Sequence, residues 1–182
     1  GLEPNLSLQK NIDKIPKGRA LDLGAGEGRN SFFLAEQGFQ VDAVDNNKEG
    51  LKKIDKIAKE KKLPIKAIFC NIQDLEIKEK YSLIISVSSI DFLKKEEIKK
   101  VFSKIKKSLL LNGFVFLSVF SDQDPLYEVI KEKKTKELEE NTFYLPKFKI
   151  YRHFFKKEEI SQEFKNFDCV FLRHKKILDD TH

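Results

Sequence analysis

Short apolar runs alternate along this chain with longer stretches in which apolar residues recur every three or four positions, the rhythm of strands followed by helices. Residues 20–23 form a strand-sized run, and 29–37 read as a helix offering Phe32, Phe33 and Ala35 to a sheet, with Gly38 as its closing glycine. A second strand over 39–44, an amphipathic helix over 48–62 stopped by Leu63-Pro64, and a third strand over 65–70 continue the alternation. The run 81–87 is apolar along most of its length, as a strand buried on both faces is. A helix over 96–111 then carries the stripe Ile98, Val101, Phe102, Ile105 and Leu109 and stops at Asn112-Gly113, before a fifth strand over 114–120. Strands separated by helices, with right-handed crossovers, predict an α/β fold: a doubly wound, mostly parallel, Rossmann-like sheet with helices on both faces.

The flanks are less regular. Leu6, Leu8, Ile12 and Ile15 are loosely helical in spacing, so 1–16 reads as a short helix or N-terminal arm ending at Pro16 and leading into the first strand. Residues 121–125 are turn-rich, 126–140 read as a charged helical insert, and 142–155 hold seven aromatic or histidine residues; 121–155 is thus a substrate-loop insert. A helix over 156–167 and a late, antiparallel strand over 169–178 complete a single domain, 1–182.

Three alternating glycines, Gly24, Gly26 and Gly28, directly follow the first strand and permit positive φ and close approach of a ligand to the backbone. Dinucleotide sites place a pyrophosphate against such a turn with G-x-G-x-x-G spacing; here the spacing is G-x-G-x-G, with Asp22 before it and Glu27 inside it. Carboxylates repel a phosphate but attract a ligand with adenosine at one end and positive charge at the other. S-adenosylmethionine fits that description, and its ribose diol suits a carboxylate such as Asp45 at the end of the second strand. A plain strand-to-helix turn or a dinucleotide site is the alternative reading of the glycines, and a turn begun with Asn46 and Asn47 that of Asp45.

The stretch Leu21-Asp-Leu-Gly-Ala-Gly-Glu-Gly-Arg-Asn-Ser31, continued by Gln37-Gly-Phe and Val41-Asp-Ala-Val-Asp45, resembles the cofactor motif of class I S-adenosylmethionine-dependent methyltransferases, most closely the small tellurite-resistance-type branch. The resemblance runs from about Asn5 to the end of the chain. It implies S-adenosylmethionine as cofactor, with S-adenosylhomocysteine as product, and a lid role for the N-terminal segment. It also implies site residues: Asp22, Gly24, Ala25 and Gly26 in the first loop, Arg29 and Asn30 toward the methionine carboxylate, Asp45 and Asn46 at the ribose, Asn71 and Ile72 at adenine, and Ser86 or Val87 meeting the ammonium through backbone oxygen. Asn71 departs from the aspartate more usual there, and Arg29 reads equally as a surface residue at a helix start. The family closes with a hairpin of two strands where this chain offers one; either the last strand is missing or 144–151 takes an unusual role.

Composition narrows the chemistry further. The formal charge is +6, yet Arg19, Arg29, Arg152 and Arg173 are the only arginines among 35 basic residues, and lysines such as Lys52, Lys56 and Lys59 interleave with acids as a solvated helix face. A nucleic-acid partner is disfavoured on these grounds and because 86–91 lacks the Asn/Asp-Pro-Pro-aromatic motif of amino-methylating nucleic-acid enzymes. No apolar run approaches membrane-spanning length and the N-terminus lacks a basic region before an apolar stretch, so a cytoplasmic, unexported protein without membrane contact is expected. The chain contains no methionine, so a processed or engineered N-terminus, with Gly1 as a tag remnant, is expected. Cys70 and Cys169 lie in apolar runs and read as buried reduced thiols, with no metal site.

Methyl transfer from a sulfonium is an in-line displacement that needs alignment more than acid–base help, so the expected substrate is a small-molecule acceptor: a chalcogen oxyanion, a thiol or a small metabolite. His153, Asp91, Asp122 and Tyr127 are the candidates should a base be used, His153 reading also as a structural residue and the 142–155 aromatics as core. Nucleic-acid methylation and cofactor binding without turnover are the competing readings. Oligomeric state is not legible.

Overall fold

A computed structural model of the chain describes residues 3–173. They group into two compact units: one running up to Ile90 and resuming over Glu97–Ser118, the other comprising Asp91–Glu96 and the residues from Val119 on.

The first unit holds a five-stranded parallel sheet of β1 (Arg19–Leu23), β2 (Gln40–Asp45), β3 (Ile65–Phe69), β4 (Tyr81–Val87) and β5 (Leu109–Ser118), in the order β3-β2-β1-β4-β5. Helices α1 (Leu6–Asn11), α2 (Arg29–Glu36) and α3 (Lys48–Lys61) each precede one of β1 to β3, and α4 (Lys95–Ser108), which belongs to this unit from Glu97 on, lies between β4 and β5. The chain builds outward from β1 to β3 and returns to place β4 on the other side of β1. The strand order therefore reverses between β1 and β4, where open α/β sheets bind ligands at the carboxyl ends. Ala20 is in register with Val41 and with Leu83, so these share one face; they pack with Leu34 and Ala35 of α2 and with Leu8, Ile12 and Ile15. The N-terminal arm is thus part of the sheet's core as well as its lead-in. Every residue of β4 is buried, which requires cover on both faces, and α4 brings a buried row of Ile98, Val101, Phe102 and Ile105.

At the amino ends of the strands, Arg19 donates to the buried Asp42 carboxylate at 2.7 Å, and the Tyr81 hydroxyl donates to the same oxygen at 2.8 Å. Burial, and the bond to Asp42, push the Tyr81 hydroxyl's pKa upward. This polar knot ties β1, β2 and β4 together at the end opposite the glycine loop.

The second unit contains α5 (Pro125–Glu132), an antiparallel sheet of β6 (Glu137–Glu139), β7 (Thr142–Leu145) and β8 (Ile150–His153), and α6 (Lys157–Glu163). Its core is aromatic: Tyr127, Phe143 and Phe154 meet edge to face, with ring centroids 5.2–6.0 Å apart.

Several expectations change. The helix expected over 126–140 ends at Glu132, and 137–139 pairs with β7 instead, while 144–151 contributes to the β7–β8 pair. The helix expected to reach 111 ends at Ser108, and β5 begins at once, with an irregularity between the pairs Tyr81↔Leu109 and Leu83↔Phe114; Asn112, at φ 61°, turns within that irregularity instead of stopping a helix. Cys70 is half-buried and Cys169 exposed, because Cys70 just follows the edge strand β3 and Cys169 lies in irregular chain beyond α6. Of the strand expected over 169–178, residues 169–173 are not in a strand and the remainder lies outside the described residues. No helix among the described residues is long and apolar enough to cross a membrane.

Candidate active site

Hydrogen bonds fix the glycine loop on the ends of two strands. Gly24 and Ala25 both donate to the carbonyl of Val44, at 2.8 and 2.9 Å, so their amides are consumed in closing the loop onto β2. Gly26 donates to Asp45 Oδ2 at 2.7 Å, and a Cβ at Gly26 would meet nothing within 4 Å, which leaves open space above this residue. The other oxygen, Asp45 Oδ1, accepts from the Asn47 amide at 2.7 Å. Asp45 therefore starts the turn with Asn46 and Asn47 and also braces the glycine loop. A carboxylate has about four lone-pair sites, and two protein donors leave capacity for a ribose diol.

Asp22 lies beneath the loop, 1% exposed. Its Oδ2 accepts from the Ser31 hydroxyl at 2.6 Å, while Oδ1 is buried without a hydrogen-bond partner. Burial pushes its carboxyl up to about 6; the Ser31 hydroxyl opposes the rise and the nearby Asp45 charge adds to it. An orphaned, buried acceptor of this kind is compensated by a donor or a positive charge. Glu27, by contrast, turns outward and pairs with Lys53, whose hydrogen bond and charge hold its carboxyl below the usual range. The acidic character of the cradle thus comes from Asp22 and Asp45.

The other expected cofactor residues lie in the same unit. Asn30 is buried, and its side-chain oxygen accepts from the Asn5 amide at 2.9 Å, fastening the N-terminal arm to α2; Arg29 beside it is exposed. Asn46 donates to Asn71 at 3.1 Å, and Asn71 donates to Asp74 at 2.9 Å, linking the turns after β2 and β3; Ile72 is half-buried beside them. Ser86 and Val87 are buried at the end of β4. Sequence reasoning overlooked Ser89, whose hydroxyl donates to the Leu23 carbonyl at 2.6 Å and lies 2.8 Å from Ser86 Oγ. The one available signal was a run of serines immediately after an apolar strand.

The base candidates all lie in the second unit, each with its own partners. Tyr127 donates to Asn141 at 2.7 Å from within the aromatic core. His153 is fully buried, with Nδ1 2.8 Å from the Thr142 hydroxyl and Nε2 3.1 Å from Glu159, and its ring meets Phe155 edge to face. Burial alone would push the Glu159 carboxyl up, but the hydrogen bond and charge of His153 bring it below its usual range. Asp91 is fully buried and ion-paired with Arg152, whose guanidinium sits 4.2 Å from the Phe92 centroid and 4.3 Å from that of Phe120. Burial pushes the Asp91 carboxyl up against the pull of Arg152. Asp122 is half-buried, its backbone amide bonded to the Phe155 carbonyl at 3.2 Å.

Comparison with known proteins adds the family. A family profile described as tellurite resistance protein TehB matches residues 7–144. Among curated proteins, a probable S-adenosyl-L-methionine-dependent methyltransferase TehB of Haemophilus influenzae is 28% identical over 96 residues, 53% of this chain and 34% of that protein. A ubiquinone biosynthesis O-methyltransferase of Rickettsia conorii is 26% identical over 120 residues, 66% of this chain and 41% of that protein. Among solved structures, TehB from Haemophilus influenzae superposes with a TM-score of 0.74 at 20% identity, covering 94% of this chain and 53% of that one. The chain spans about a third to two-fifths of the length of these curated relatives.

Proposed function

Since the chain belongs to the family of the tellurite resistance protein TehB, we propose that it binds S-adenosylmethionine on the glycine loop of its first unit and transfers the methyl group to a small-molecule acceptor. The observation that carries this reading is the pairing of open space at the Cβ position of Gly26 with two carboxylates, Asp22 and Asp45, of which Asp22 keeps one buried oxygen unpartnered. Such a surface opposes a pyrophosphate and favours a cationic nucleoside. When bound, the cofactor supplies an electrophilic methyl group on a positively charged sulfur.

What remains for the chain is to bind, orient and exclude water. Asp45 would hold the ribose diol with its remaining acceptor capacity, Asn46 and Asn71 would border the adenine, and the end of β4 at Ser86 and Val87 would meet the ammonium. Asp22 supplies negative charge beneath the loop. Tyr127, His153 and Asp91 already engage Asn141, Thr142 with Glu159, and Arg152. Those commitments favour an acceptor that arrives as an anion, a chalcogen oxyanion or a thiolate, from which no proton must be removed.

The test is formation of S-adenosylhomocysteine over a panel of tellurite, selenite, small thiols, phenols, carboxylates and structured RNA. Turnover with the chalcogen anions or thiols is expected, with a rate on thiols that rises with the ionised fraction of the thiol. Turnover on RNA alone, or on nothing in the panel, contradicts the reading; the first outcome favours a nucleic-acid enzyme and the second a binding protein without turnover.

A further inference from the structure

One hydroxyl links the carboxyl ends of β1 and β4 at their last paired residues. Leu23, the last residue of β1, is in register with Ser86 of β4, and their pairing ends here, at the point where strand order reverses. Ser89 bridges these two strand ends. Its hydroxyl donates to the Leu23 carbonyl at 2.6 Å and lies 2.8 Å from Ser86 Oγ, so the three oxygens form a chain from β1 to β4. A Cβ added at Gly24 would stand 2.2 Å from Ser89 Cβ and 2.5 Å from its Oγ. The first loop glycine and this serine are therefore packed directly against each other. Ser88, just before it, adopts a positive φ of 51°, and its amide donates to the Ser118 carbonyl at 2.8 Å, which fixes the backbone that presents Ser89.

We propose that Ser89 is a positioning residue that sets the distance between the glycine loop and the end of β4, and so selects the methionine end of the cofactor rather than its nucleoside. The inference rests on the reading of the cradle given above, in which Asp45 serves the ribose and the end of β4 serves the ammonium. Neither of these roles falls to Ser89. It acts through Leu23, Gly24 and Ser86, all of which border the β1–β4 crevice, whereas Asp45, Asn46 and Asn71 lie on the β2–β3 side.

That separation provides the test. Affinities of the whole protein for S-adenosylhomocysteine and for 5′-methylthioadenosine, which lacks the amino-carboxyl end, are measured by calorimetry for the parent, Ser89→Ala and Asp45→Asn proteins, with melting temperatures alongside. Ser89→Ala is expected to weaken S-adenosylhomocysteine about five- to tenfold, the worth of one hydrogen bond, while 5′-methylthioadenosine binds as to the parent. Equal loss for both ligands, or no loss for either, overturns the assignment, since a merely structural hydroxyl would not distinguish the two. Asp45→Asn is expected to weaken both ligands alike. Failure of Asp45→Asn to weaken either, or failure of the parent to bind either, overturns the cradle reading and the role of Ser89 with it.

Discussion

Asp22 occupies a position that costs the fold stability once its carboxyl is ionised. Its carboxyl titrates at about 6 when folded against 3.8 in its ordinary setting, so the folded chain holds that proton more tightly than the unfolded one. The resulting stabilisation is complete below about pH 3.8 and is lost as pH rises through about 6. At pH 7.5 the buried carboxylate costs on the order of 3 kcal/mol, at about 1.4 kcal/mol per pH unit of displacement. Asp22→Asn should therefore raise the melting temperature at pH 7.5 clearly more than at pH 4.5, and weaken S-adenosylhomocysteine binding at pH 7.5. An equal melting shift at both pH values would count against this account. Gly24→Ala is predicted to act in the opposite sense: φ is +80° and the new methyl would collide with Ser89, so a loss of about 2–4 kcal/mol in chemical denaturation is expected. The need for a glycine there was legible in the sequence, as were the sequence positions of Asp22 and Asp45. The orphaned oxygen of Asp22, the outward turn of Glu27 toward Lys53, and the approach of Ser89 were not, because they depend on which strand ends lie side by side.

Among the elements, those with one strong period were legible from the chain alone. Helix α3 is an example: its apolar residues Leu51, Ile54 and Ala58 are buried, and the Asn47 side chain caps it by accepting from the amides of Glu49 and Gly50. Asn47→Ala should lower stability by about 1 kcal/mol in urea titration, the usual worth of an N-cap. The start of β5 was not legible, since Leu109-Leu-Leu111 suits a helical stripe and a strand equally; pairing of Leu109 with Tyr81 decides it. Nor was β6, three residues long and rich in charge, which exists through its partner β7. The Asp91–Arg152 pair lies in the same category, joining residues far apart in the chain. Asp91→Leu strands a buried guanidinium and is expected to cost about 3–5 kcal/mol, whereas Asp91→Leu combined with Arg152→Met should recover most of that loss. Recovery of less than a third in denaturation would mean that the pair does more than satisfy itself.

For the molecule as a whole, alternating periodicity predicted the parallel sheet correctly, and the acidic glycine loop pointed to the family. The organisation of 121–155 was the main shortfall: a helix was expected over 126–140, and the structure holds a short helix, a three-stranded antiparallel sheet and an aromatic core. Aromatic residues in that stretch carried no clear period because they converge from α5, β7 and the residue after β8 onto one cluster. All the residues assigned to the cofactor lie in the first unit, so the central claim can be examined without knowing the acceptor. The most direct measurement is calorimetric titration of the protein with S-adenosylmethionine, S-adenosylhomocysteine and NADH, repeated on Asp45→Ala. Binding of the two sulfur nucleosides, no binding of NADH, and loss of the former in Asp45→Ala is the predicted result; tight binding of NADH with none of the other two would contradict it.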